Sequence, residues 1–139
     1  MKIDGSCHCG NIRYALEWPG EPAMIPARAC TCGFCTRHGA VWTAHPEAAL
    51  TLRIEDASRI ARYAFGTRTA DFLVCTSCGV VPACTSRIDR RDYAVVNVNT
   101  FDDKAIPVER TAVSFDGEQQ DERLARRQER WIGIVRFDG

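Results

Sequence analysis

Short runs in which apolar residues alternate with polar ones, turn residues between those runs, and a lone amphipathic stretch near the C-terminus mark this chain as mainly β with a C-terminal helix. The first run is Ile12, Tyr14, Leu16 and Trp18, stopped by Pro19-Gly20-Glu21-Pro22. Ala40-Val41-Trp42-Thr43-Ala44 reads as a short apolar strand, and Pro46-Glu47-Ala48 as the start of a short helical turn. Leu50, Leu52 and Ile54 alternate again. Ile60 to Phe65 forms a further run that ends at Gly66-Thr67, and Asp71-Phe72-Leu73-Val74 follows. Tyr93 to Phe101 is rich in Val, with Asn97 and Asn99 alternating against Val96 and Val98 and expected on a solvated face. Val113 and Phe115 mark the last expected strand. Glu118 to Trp131 reads as the helix, with acidic residues early and Arg123, Arg126, Arg127 and Arg130 later, as the helix dipole favours. Asp121, Glu122 and Glu129 interleave with those arginines, so the expectation is a solvated helix face and no nucleic-acid patch.

A length of 139 residues suits one domain, 1–139, around one modest core. Eighteen basic residues balance eighteen acidic ones, which leaves no global pull toward nucleic acid or an anionic membrane. No apolar run approaches the roughly 18 to 20 residues of a membrane span. A cysteine motif follows Met1-Lys2-Ile3-Asp4-Gly5 at once, so no signal peptide is expected and the expected address is cytoplasmic. In that reducing setting, eight cysteines point to metal binding over disulfides.

Spacing sharpens the point. Seven of the eight cysteines cluster, as Cys7-His8-Cys9, Cys30-Thr31-Cys32-Gly33-Phe34-Cys35 and Cys75-Thr76-Ser77-Cys78-Gly79, while Cys84 stands apart. A Cys-x-x-Cys turn brings two sulfurs to one tetrahedral zinc, and a following glycine such as Gly79 can take positive φ and turn its N–H groups toward sulfur. A closed site takes four ligands, which Cys7, Cys9, Cys75 and Cys78 supply together. Cys30, Cys32 and Cys35 then form a trio, and three protein ligands with a further position for water or substrate are the mark of a catalytic zinc. The same count allows a closed second site, completed by Cys84, His8, His38 or His45. Cys84 also suits a small buried hydrophobe. Trp42 and Tyr14 are expected in the core.

Gly5-Ser6-Cys7-His8-Cys9-Gly10, the Cys30-to-Ala40 segment with its Cys-x-Cys-x-x-Cys, and Phe72-Leu73-Val74-Cys75-Thr76-Ser77-Cys78-Gly79 come in the order of one family's motifs. Over residues 3–101 the chain resembles the glutathione-dependent formaldehyde-activating enzymes, whose domain is shared with centromere protein V. The resemblance implies a β-tent fold of small antiparallel sheets stapled by zinc. It implies two Zn²⁺ per chain, a structural one on Cys7, Cys9, Cys75 and Cys78 and a catalytic one on Cys30, Cys32 and Cys35. The implied activity is S-(hydroxymethyl)glutathione synthase, a carbon–sulfur lyase, with glutathione as the small-molecule thiol. Family members often carry Ser and Arg where this chain has Gly33 and Thr36; Arg37-His38 partly restores a basic pair, expected to steer the carboxylates of glutathione or to shuttle a proton. The competing readings are a non-catalytic zinc-stabilised binding module and a thiol redox enzyme using Cys84.

Overall fold

A computed structural model describes residues 1–138 and is mainly β. Its strands are β1 (Lys2–Ser6), β2 (Ile12–Glu17), β3 (Ile25–Cys30), β4 (Trp42–Thr43), β5 (Ala49–Ile54), β6 (Ile60–Tyr63), β7 (Asp71–Cys75), β8 (Ala83–Ile88), β9 (Arg91–Asn97), β10 (Val108–Val113) and β11 (Ile134–Asp138). A one-turn helix, α1 (Gly33–His38), lies between β3 and β4, and α2 (Gln120–Arg130) precedes β11.

The strands form two sheets, ordered β1-β2-β5-β11 and β10-β3-β4-β9-β8-β7-β6. In the first sheet, β2 and β5 pair antiparallel with Tyr14 opposite Leu52 and Leu16 opposite Leu50, so alternate side chains from both strands turn inward. Leu16, Leu50 and Leu52 are fully buried there with Ile12. Gly5 is required opposite Tyr14, because a Cβ at Gly5 would strike the tyrosine ring on its way to a 2.8 Å hydrogen bond with Thr100 Oγ1. The internal pairings are antiparallel, as expected. Two edge strands differ: β10 joins β3 and β11 joins β5 in parallel.

Several expected elements shift. Tyr93 to Phe101 is β9 followed by a 3₁₀ turn at Val98–Thr100. Asn97 is buried, not solvated: its Oδ1 accepts the N–H groups of Val41 and Asn99, and its Nδ2 donates to Val81 O. Pro46-Glu47 is a plain turn closed by Ala48 N–H on His45 O, too short to become helix. β10 stops at Val113, and Phe115 lies beyond it, free to pack elsewhere. The last strand is β11, past the helix.

Helix α2 starts with Glu122 accepting the Gln119 N–H at 3.3 Å and ends with Arg127 and Arg130 near its carbonyl end. Leu124, Arg127 and Trp131 follow one another at helical spacing, and Trp131 packs in a second core cluster with Cys35, Trp42, Cys84 and Val95. That cluster lies where β3, α1, β8 and α2 come together.

Candidate active site

Two sets of thiols assemble from the three cysteine motifs. Cys7 and Cys9 sit on the turn between β1 and β2, where Gly10 at φ 84° donates its N–H to Cys7 O. Cys75 ends β7, and Cys78 follows on a turn closed by the N–H of Gly79, at φ 80°, on Cys75 O at 2.7 Å. Both glycines hold the left-handed backbone that a side chain would strain. The four sulfurs of Cys7, Cys9, Cys75 and Cys78 all lie within 4.8 Å of one another. Cys7 Sγ is 3.8 Å from Cys9 Sγ, and Cys9 Sγ is 3.5 Å from Cys75 Sγ. A tetrahedron with zinc–sulfur bonds of about 2.3 Å has sulfur edges of about 3.8 Å, so the donor set and its spacing fit zinc.

The second set is the trio. Cys30 ends β3, Cys32 caps α1 by accepting the Cys35 N–H on its sulfur at 3.4 Å, and Cys35 lies within α1. Their sulfurs also lie within 4.8 Å of one another. Trp42 Nε1 donates to Cys35 Sγ at 3.4 Å, a contact that favours a thiolate and fixes its direction. Among the described residues, neither Cys84 nor His8, His38 or His45 joins either cluster.

Burial and hydrogen bonding act unevenly on these thiols. A hydrogen bond with Cys35 holds Cys30 down to about 5, and the same bond with burial pushes Cys35 up. Burial raises Cys7 to about 11 against the opposing Ile12 N–H. At Cys78 burial works against the thiolate, yet the N–H groups of Val80 and Cys9 and the neighbouring sulfurs bring it down to about 6. In each cluster the surroundings therefore favour ionisation of one sulfur and oppose it at another.

The trio borders a cavity of about 350 Å³. Trp42, Phe72, Val95 and Trp131 form much of its apolar wall, and Cys84 lies on it. Cys84 is buried, and burial pushes its thiol up, away from the reactive thiolate. Trp42 is thus both core and cavity wall. Tyr14 is core alone.

Four arginines also line the cavity: Arg28 from β3 and Arg123, Arg126 and Arg127 from α2. This corrects the expectation of a solvated helix face. Arg127 is buried and donates to Thr69 Oγ1 at 2.8 Å and Ser86 Oγ at 3.1 Å, while its Nε has no partner among the described residues. Burial, with Arg126 and Arg123 close by, pulls its guanidinium down to about 10. Arg126 lies 3.7 Å over the Phe115 ring and makes two hydrogen bonds to Glu118, at 3.0 and 3.1 Å. Those bonds hold the Glu118 carboxyl below its ordinary range. Charge interleaving hides this arrangement in the sequence; the one signal available was a buried-type spacing of Leu124, Arg127 and Trp131.

Arg37 and His38 are placed differently. Both are exposed on α1 and bonded within it, Arg37 to Gly33 O at 2.9 Å and His38 Nδ1 to Phe34 O at 2.7 Å. Neither lines the cavity, although His38 packs on Phe34, which packs on the lining residues Phe65 and Phe72.

A family model described as glutathione-dependent formaldehyde-activating enzyme matches residues 2–115, which carry both thiol clusters. The chain belongs to the glutathione-dependent formaldehyde-activating enzyme family. A crystal structure of a Rhodobacter sphaeroides protein is similar to it, at 28% identity and a TM-score of 0.52, over 76% of this chain and 99% of that one. Membership in this enzyme family and two thiol clusters suited to metal together make a glutathione- and formaldehyde-related function, with two clusters able to hold metal, the coarse assignment. No helix among the described residues is long and apolar enough to cross a membrane.

Proposed function

We propose that this protein is a zinc-dependent carbon–sulfur lyase that interconverts glutathione plus formaldehyde with S-(hydroxymethyl)glutathione. In this reading, Cys7, Cys9, Cys75 and Cys78 hold a structural zinc, and Cys30, Cys32 and Cys35 hold a catalytic one. The observation that carries the proposal is that the trio, and not the quartet, borders the cavity. Zinc on three thiolates supplies a place for a fourth sulfur and favours its ionised form.

The chain's own residues do the rest. Trp42 orients Cys35 by its N–H, and the apolar wall formed with Phe72, Val95 and Trp131 limits water around the reacting sulfur. In the forward direction a carbon–sulfur bond forms between the thiol and formaldehyde, the carbonyl π bond breaks, and the proton lost from sulfur ends on the new hydroxyl oxygen. Arg37 and His38 have their proposed part from outside the lining, His38 being linked to the lining Phe72 through Phe34. The β-tent architecture and a cytoplasmic working place belong to the same proposal.

Exchange spectroscopy by NMR, with glutathione and formaldehyde at equilibrium, tests it. Protein carrying two zinc ions per chain should speed the exchange well above the uncatalysed rate, and Cys35→Ser should return it to that rate. Exchange at the uncatalysed rate with both zinc ions bound would refute the proposal.

A further inference from the structure

The cavity carries more positive charge than its own carboxylates offset. Of the four lining arginines, Arg123 and Arg126 share one carboxylate, Glu118, at 3.6 and 3.0 Å. Arg127 is held by two hydroxyls and no acid. Arg28 is half-buried, and among the described residues its guanidinium makes no ion pair or hydrogen bond. The charges that act on it most are those of Arg126 and Arg130, both of its own sign. Asp116 is the acid on the cavity lining. A guanidinium held among like charges, partly out of water, lacks the anion that its fork would grip by two hydrogen bonds.

Strand geometry places Arg28 usefully. It lies two residues before Cys30 on β3, and side chains two apart on a strand share a face, about 6.6 Å apart along it. Arg28 and Cys30 both line the cavity, as that spacing requires. Arg126 lines the same cavity from α2, stiffened by Phe115 on one side and Glu118 on another.

We infer that Arg28 and Arg126 form a carboxylate subsite, so that the cavity selects thiols bearing an acid group a few bonds from sulfur. The inference rests on the thiol reading proposed above and narrows its substrate class. Arg28 lies within the residues of the family match, 2–115, whereas Arg126 lies beyond them on α2, so half of the subsite comes from this chain's C-terminal helix.

Calorimetric titration of the zinc-loaded protein tests it with three probes: 3-mercaptopropionate, 2-mercaptoethanol and thiol-free glutarate. The subsite predicts a preference for the acid thiol over the neutral one of at least about tenfold. Arg28→Gln and Arg126→Gln should each abolish most of that preference, and Arg28→Lys should keep part of it. Comparing each variant with the wild type cancels the intrinsic difference between the two thiols. Zinc content is measured alongside: a variant that sheds the zinc of the trio without altering the preference would show that the guanidinium merely offsets thiolate charge, and would overturn the inference. Equal binding of both thiols would overturn it too and leave the thiol reading standing. If neither thiol binds, the thiol reading fails, and glutarate binding that weakens in Arg28→Gln still decides for or against the carboxylate subsite.

Discussion

Four thiols at one place in the fold and three at another offer a metal the same donor atom, and their surroundings differ. The quartet joins the β1–β2 turn to the end of β7, two segments 66 residues apart at Cys9 and Cys75. Its sulfurs are held by backbone turns, with Ile12 N–H on Cys7 at 3.3 Å, and none of the four lines the cavity that the trio borders. The trio spans six residues, sits on one strand end and one helical turn, and borders a cavity walled by aromatics and arginines. Loop closure over a long separation makes a metal site valuable to folding, and a local site with a cavity beside it makes one valuable to a ligand. Under the proposed division of roles, ligand type does not separate structure from chemistry; the residues around the sulfurs do.

The largest effect that would break this comparison is a stable quartet variant. Structural zinc sites contribute about 10–16 kcal/mol of apparent binding energy in small domains, against a total stability of about 5–15 kcal/mol. Cys75→Ser is therefore expected to leave the chain largely unfolded by circular dichroism. A cooperative melt at the wild-type temperature would remove the structural role from the quartet.

Metal removal separates the two sites without mutation. A chromophoric chelator should draw zinc in two steps of one ion each, the first with the fold intact and the second together with loss of β signal. A single step that unfolds the protein would erase the distinction. At the trio, Cys35→Ser should leave the melting temperature within a few degrees and lower turnover by at least about a hundredfold, the upper end of what disturbing a metal's surroundings costs. An equally active variant would move the chemistry elsewhere.

Both clusters are legible from spacing, because close thiols on a tight turn with glycine have few other uses in a reducing setting. Strands such as β2 and β5 are legible because each buries one face and alternates accordingly. β8 escapes: Ala83, Cys84, Thr85 and Ser86 are buried in succession, so no alternation appears, and Ser86 is satisfied only by distant partners, Thr69 O and Arg127. β3 hides behind Pro26 and Arg28, residues that demote a strand when its neighbours are unknown. The arginines of α2 are misjudged for a related reason. An interleaved charged helix reads the same whether it faces water or a cavity, and what turns Arg127 inward is Thr69, 58 residues earlier. Local pattern carries the metal sites; contacts across the fold carry the pocket beside them.

The smallest expected effect concerns one hydrogen atom. Trp42 Nε1 points at Cys35 Sγ, and among the described residues no side-chain N–H plays that part at the quartet, where backbone N–H groups meet the sulfurs. Trp42→Phe keeps an aromatic ring against Phe72, whose centroid lies 5.7 Å away, and removes the donor. Loss of such a contact typically weakens metal binding by about tenfold. Competition with a zinc indicator should therefore show the trio's affinity reduced by about that factor and the quartet's unchanged. Equal loss at both sites would mean that Trp42 acts through packing of the whole β3–α1–β8 region. No loss at either would mean that the Cys35 thiolate is held by α1 and its zinc alone, and the indole would then serve only as a wall of the cavity.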